Sequence, residues 1–185
     1  MPGIGGTGVV TISQILQMAA HLDGAFAAGL EQVGLAQKGG PVVSDVRIAK
    51  HPGAGALRAS RGSADVIVGF DLLGAADPAT LGTGRAGHTV AVVNTALVPT
   101  AAMVTNKVVL PGSTDDALER IAAATRPADA LHVDAQWITE QLFRDHLPTH
   151  MLLLGAAFQH GVLPVSLEAV EEVGEGFHRW LPRSS

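Results

Sequence analysis

The chain has 185 residues, 47% of them hydrophobic and 16% charged, with a net charge of −5 at pH 7 and a mean hydropathy of +0.30. That length suits one domain able to bury a core without covalent staples, and the composition excludes intrinsic disorder. The absence of cysteine excludes disulfides and any Cys-held zinc or iron–sulfur cluster, and the acidic balance gives no net basic field toward nucleic acid or an anionic membrane.

The chain opens with a glycine loop, Gly3-Ile4-Gly5-Gly6-Thr7-Gly8. Apolar residues at Val9, Ile12, Leu16 and Ala19/Ala20 then predict an amphipathic helix that stops at Gly24. Residues 25–30 read as a short strand, 34–40 as a glycine-rich loop, and 42–48 as a strand with Ser44 and Asp45 in its middle. A second unit starts with the apolar run 65–70, after which Asp71 is placed to cap a helix over 72–76. Thr89 to Val93 is the clearest strand, and Lys107 to Leu110 is a shorter candidate. Thr114 is placed to cap a helix with Asp115 and Asp116 in its first turn and Leu118, Ile121 and Ala122 on its apolar face. A brief strand at 131–133, helices at 135–143 and 150–160, and a last helix from about Leu167 complete the pattern. Strands alternating with helices predict an α/β protein: a Rossmann-like three-layer α/β/α sandwich on a mostly parallel sheet, with room for antiparallel pairs. The first Lys or Arg is Lys38, so the opening does not read as a signal peptide. The uncharged stretch 86–106 contains His88, Asn94 and Pro99, which argues against a membrane span, and a cytoplasmic location is expected.

Gly3, Gly5 and Gly8 fit the G-x-G-x-x-G pattern of dinucleotide sites, in which glycines make the turn, admit a pyrophosphate and let the helix lie on the sheet. Glu31 falls near the spacing of a ribose-binding acid. That fingerprint needs a strand ahead of the glycines, and Met1 and Pro2 alone precede them. The same loop also serves as a plain tight turn. A second constellation, Gln37-Lys38-Gly39-Gly40-Pro41, combines a cation with two glycines that let a backbone approach phosphate. His146 and His150 have i, i+4 spacing with Pro148 between them, so no metal site is expected. His21 suits a helix C-terminus, and Trp137 and Trp180 read as packing or interface anchors. No residue reads as a nucleophile or general base.

The blocks from Gly3 to Thr11 and from Gly34 to Arg47, with Met18-Ala19-Ala20-His21 between them, resemble one family. It is the gamma domain of 2-oxoacid:ferredoxin oxidoreductases, above all the fused indolepyruvate ferredoxin oxidoreductases. Asp71-Leu72, Val92-Val93-Asn94-Thr95 and Leu152-Leu153-Leu154-Gly155 are similar to it too, so the resemblance covers roughly residues 3 to 170. It implies oxidative decarboxylation of a 2-oxo acid, with an aryl-pyruvate favoured, to acyl-coenzyme A. Thiamine diphosphate and iron–sulfur clusters would be held by alpha and beta partners, and electrons would pass on to ferredoxin. This chain would then hold no cofactor and be inactive alone. By the same resemblance Gly3, Gly5, Gly6, Thr7, Gly8, Gln37, Lys38, Gly39 and Gly40 would line the shared coenzyme A or catalytic region.

Two departures from the family pattern stand out. A first strand is missing, and the stretch from Glu172 to Trp180 is short and interrupted by glycines, so residues 1–185 read as one domain truncated at both ends. A missing strand would leave an unpaired sheet position open to self-association. The rival readings are a small NAD(P)- or FAD-dependent oxidoreductase and a non-catalytic interaction module.

Overall fold

A computed structural model describes residues 1–33, 40–53, 56–97, 113–145 and 148–180. The strands are β1 (Pro2–Ile4), β2 (Phe26–Val33), β3 (Pro41–Ala49), β4 (Val66–Gly69), β5 (Val90–Asn94) and β6 (Leu131–Val133). The helices are α1 (Val9–Leu22), α2 (Leu72–Ala75), α3 (Pro78–Thr83), α4 (Thr114–Ala124), α5 (Ala135–Phe143), α6 (Thr149–Gln159) and α7 (Leu167–Trp180). One set of strands runs antiparallel in the order β1-β3-β2, and the other runs parallel in the order β4-β5-β6. They meet where the Phe70 N–H donates to the Pro2 carbonyl at 2.9 Å, which brings β1 beside β4.

Side-chain alternation along β5 explains the layers. Val92 packs into a core with Ile12, Leu16, Leu153, Ala157 and Ala169 of α1, α6 and α7, while its neighbours Ala91 and Val93 pack against Leu72, Ala75, Ala117 and Ile121 of α2 and α4. A strand apolar on both faces needs helices on both, and the three-layer α/β/α sandwich follows. On α1 the buried residues Val9, Ile12, Ile15, Leu16 and Ala19 follow the helical period, and Gly24 takes φ 73 just beyond the helix.

The expected missing strand is present. Pro2–Ile4 forms β1, buried throughout and paired with β3 through Pro2↔Val43, Gly3↔Val42 and Ile4↔Pro41. Flanked on both sides, three residues are enough, and the first glycine lies inside the strand rather than after it. The position thought to be left open to self-association is therefore filled. The glycines of the last segment do not break it either: α7 runs on through Gly174 and Gly176 to Trp180.

Other differences are local. β2 reaches Val33 rather than Leu30, because eight successive residues pair with β3 and polar Glu31 and Gln32 are tolerated there. The cap of α4 is Ser113, which shares a reciprocal capping box with Asp116, rather than Thr114. α3 buries no residue and so has no periodic signature; its marks are Asp77 as cap and Pro78 in the first turn. The strand expected at 107–110 lies outside the described residues.

The end of α1 is stapled to the start of α7 by Asp23, whose carboxylate accepts 2.6 Å hydrogen bonds from both the Ser166 N–H and hydroxyl. Those two bonds hold its pKa below the ordinary carboxylate range. A carboxyl depressed by folding contributes stability above the unfolded pKa and loses it as pH falls through the folded value. Asp23→Asn is expected to flatten the acid limb of the thermal midpoint measured against pH and to leave little pH-dependent difference above it.

Candidate functional site at the crest of the sheet

The glycine loop is shaped first by its own backbone. The Thr7 N–H and hydroxyl both donate to the Ile4 carbonyl, at 2.9 and 2.7 Å, closing a tight turn at the end of β1. A Cβ on Gly3 would lie 2.4 Å from Val9 Cγ2 and 2.7 Å from Thr7 Oγ1, so only glycine lets helix and loop close over the strand. Gly8 combines φ 81 with the His150 ring, which a Cβ there would meet at 2.5 Å. Gly6, at φ 98, has nothing within 4 Å of such a Cβ and faces outward with Gly5. The Gly5 N–H donates to the Gly40 carbonyl at 2.8 Å and ties the first glycine loop to the end of the second. No side chain caps α1, so its first amides remain a favourable place for an anion.

Beyond the loop, the crest is knitted by polar residues that each follow an apolar strand. Asn94, at the end of β5, is 1% exposed. Its Nδ2 donates to the Phe70 carbonyl at 3.1 Å, and its Oδ1 accepts from the Ala135 N–H at 3.1 Å and from the Ala96 N–H at 3.3 Å. One side chain thereby joins the exits of β4, β5 and β6. Asp134 caps α5 by accepting from the Trp137 N–H at 2.9 Å.

Asp71 caps α2, its Oδ1 accepting from the Gly74 N–H at 2.7 Å, while Oδ2 is buried without a hydrogen-bond partner among the described residues. Burial pushes its carboxyl above the usual range. A pKa raised by folding gives stability that is fully present below the unfolded value and lost as pH rises through the folded one. Asp71→Asn is expected to gain on the wild type as the thermal midpoint is followed over a span of rising pH that starts in the ordinary carboxylate range, and the gain levels off once the folded carboxyl has ionised. A constant difference across that span would refute the assignment.

Of the residues singled out for binding, the structure brings Gly5 and Gly40 into direct contact and sets Gly6, Thr7 and Gly8 beside them; Gln37, Lys38 and Gly39 lie outside the described residues. Glu31 is not brought to the glycine loop. It sits within β2, and β3 lies between β2 and β1, two strand spacings of about 4.8 Å each from the strand that leads into the loop. In a dinucleotide site the acid stands beside the loop, so this strand order disfavours that use. Among the described residues no three His, Asp or Glu side chains gather as a metal group would require, and no helix is long and apolar enough to cross a membrane. Asn94 and His150 are the crest residues that spacing did not reveal as such: Asn94 reaches Phe70 and Ala135, 24 and 41 residues away, and His150 packs against Gly8 from the far part of the chain.

The family described as pyruvate ferredoxin/flavodoxin oxidoreductase matches residues 1–175. Two solved structures share the fold. Pyruvate oxidoreductase subunit PORC from Thermotoga maritima aligns with a TM-score of 0.65 at 21% identity, over 98% of this chain and 84% of that one. The gamma subunit of a keto/oxoacid ferredoxin oxidoreductase from Geobacter sulfurreducens PCA aligns with a TM-score of 0.58 at 18% identity, over the same shares of each chain. No curated protein matches.

Proposed function

The chain belongs to the pyruvate ferredoxin/flavodoxin oxidoreductase family, and from that premise we infer that it is the gamma component of a thiamine-dependent 2-oxoacid:ferredoxin oxidoreductase. The favoured substrate is an aryl-pyruvate such as indolepyruvate, decarboxylated oxidatively to its acyl-coenzyme A. The family match across residues 1–175 carries the assignment to this class of oxidoreductase, and the aryl-pyruvate and thiamine rest on the resemblance of the blocks 3–11 and 34–47. The absence of cysteine agrees with clusters held by other components. Exposure of Trp137, Leu142 and Phe143 along α5, at 59%, 67% and 60%, supports a chain that packs against partners.

Within such an assembly the role of this chain is positional. The hydrogen bond from Gly5 to Gly40 joins the first glycine loop to the residue just ahead of β3, and outward-facing Gly5 and Gly6 leave backbone free to approach an anionic group. Gly5, Gly6 and Thr7 would meet the phosphates of coenzyme A, while Gly3 and Gly8 shape the turn from within; by the resemblance Gln37, Lys38 and Gly39 would join them, with Lys38 supplying the charge. Coenzyme A brings the thiol that accepts the acyl group. The chain's own contribution is to hold its anionic end.

Co-expressed with the thiamine- and cluster-bearing components of such an enzyme, the chain is expected to restore indolepyruvate-dependent reduction of ferredoxin, and to be silent alone. Coenzyme A at a hundred times its dissociation constant stabilises by about 2.7 kcal/mol. Each kcal/mol moves the midpoint of a chain this size by roughly 2–4 °C. A rise with NAD, NADP or FAD instead, with no restored activity, would overturn the reading in favour of a nicotinamide or flavin enzyme.

A further inference from the structure

Charge is not spread evenly over this acidic chain. Residues 46–64 hold Arg47, Lys50, Arg58 and Arg61 with no Asp or Glu among them, leaving eight Lys or Arg against seventeen Asp or Glu elsewhere, a net of −9. The fold gathers these cations. Arg47 leaves β3 with its guanidinium over Gly53, where a Cβ would come within 3.2 Å of Nη2. The Ala59 N–H donates to Asp45 Oδ2 at 3.0 Å, which pins the segment carrying Arg58 back onto β3. The Gly62 N–H donates to the Gly82 carbonyl at 3.1 Å, and Gly62 lies against Arg85, which adds a fifth cation beside Arg61.

All five are exposed, and among the described residues none has an ion pair. The acids bordering them are engaged: Asp45 accepts from Ala59 and Gln32, and Asp65 accepts from His88 at 2.8 Å. The strip lies by the segments that lead into β4 and β5, at the opposite end of those strands from Asp71 and Asn94, so it is separate from the crest.

We propose that this strip is a docking surface for an acidic face of another protein. Five unpaired cations among small residues make a surface that carboxylates can reach, and Leu57, 40% exposed among them, supplies an apolar contact that a protein face would cover. Nucleic acid fits less well. Residues 46–64 contain no Phe, Trp or Tyr on which a base could stack, and a duplex running past the strip would meet the acidic remainder.

The test is fluorescence anisotropy of a labelled poly-L-glutamate peptide of about twenty residues, titrated with the full chain at low and at physiological salt. Binding is expected at low salt, weaker at physiological salt, and reduced roughly tenfold by Arg58→Glu or Arg61→Glu. Arg120→Glu, the same charge change on α4, should leave it within about twofold, with circular dichroism and thermal midpoint confirming each fold. No binding at low salt, or equal losses from all three variants, overturns the proposal. Tighter binding of a DNA duplex of similar charge overturns it in favour of nucleic acid. Sedimentation showing that the chain self-associates through the strip overturns it in favour of a second copy.

Discussion

Replacing Asn94 by alanine is expected to cost about 4 kcal/mol and to lower the thermal midpoint by roughly 8–16 °C. The side chain is buried and serves three backbone groups at once: the Phe70 carbonyl, the Ala135 N–H and the Ala96 N–H. Truncation leaves the first two without their partner in an interior that water does not reach, at about 1–3 kcal/mol each. The loss of packing at the end of β5 adds to that. Aspartate tests the argument from the other side. It keeps an acceptor for Ala135 but loses the donor to Phe70 and buries a charge, so Asn94→Asp should match or exceed the alanine variant near neutral pH and recover in part as pH falls. Thermal unfolding of both variants across pH decides it; a loss below about 1 kcal/mol would mean that the exits of β4, β5 and β6 are held together by other contacts.

Why Asn94 could be seen as the end of a strand but not as the knot of the crest is a matter of range. Thr-Val-Ala-Val-Val announces a buried strand from five consecutive residues, and Asp71 announces a cap from its place before a helix, because both depend on neighbours in sequence. The bond from Asn94 to Ala135 spans 41 residues, and nothing local encodes it. β1 escaped notice for a related reason. Three residues carry no periodicity, and Pro2–Ile4 is a strand because β3 pairs with it and Phe70 bonds to it from the other side. The glycine loop shows both cases. That Gly8 lets the helix lie close was legible from the spacing, whereas the body it approaches, His150, was not, and Gly3, read as a turn glycine, lies in β1 crowded by Val9. Glu31 stood at a plausible distance in sequence, and only the strand order, with β3 inserted between, separates it from the loop.

The same loop yields the second large effect, because its two left-handed glycines differ in what surrounds them. At Gly6 an added methyl meets nothing within 4 Å, so Gly6→Ala should cost only the left-handed backbone strain, about 1–2 kcal/mol. At Gly8 the same strain applies, and the methyl would also fall 2.5 Å from Cγ and 2.8 Å from Cβ of His150. Those atoms sit close to the backbone of α6 and cannot swing aside as the tip of a long side chain would. Overpacking of this kind adds about 1–3 kcal/mol, so Gly8→Ala is expected to cost about 2–5 kcal/mol. The two contributions separate in a double-mutant cycle with His150→Gly, where the cost of Gly8→Ala should shrink to that of Gly6→Ala. Equal costs with and without His150 would show that α6 yields at this contact. Ligand binding should sort the two glycines in reverse. Gly6 faces outward, so if an anionic group lies on the loop, Gly6→Ala weakens coenzyme A in the thermal-shift titration out of proportion to its small effect on folding. Gly8, turned inward against His150, acts on binding only through the position of α1.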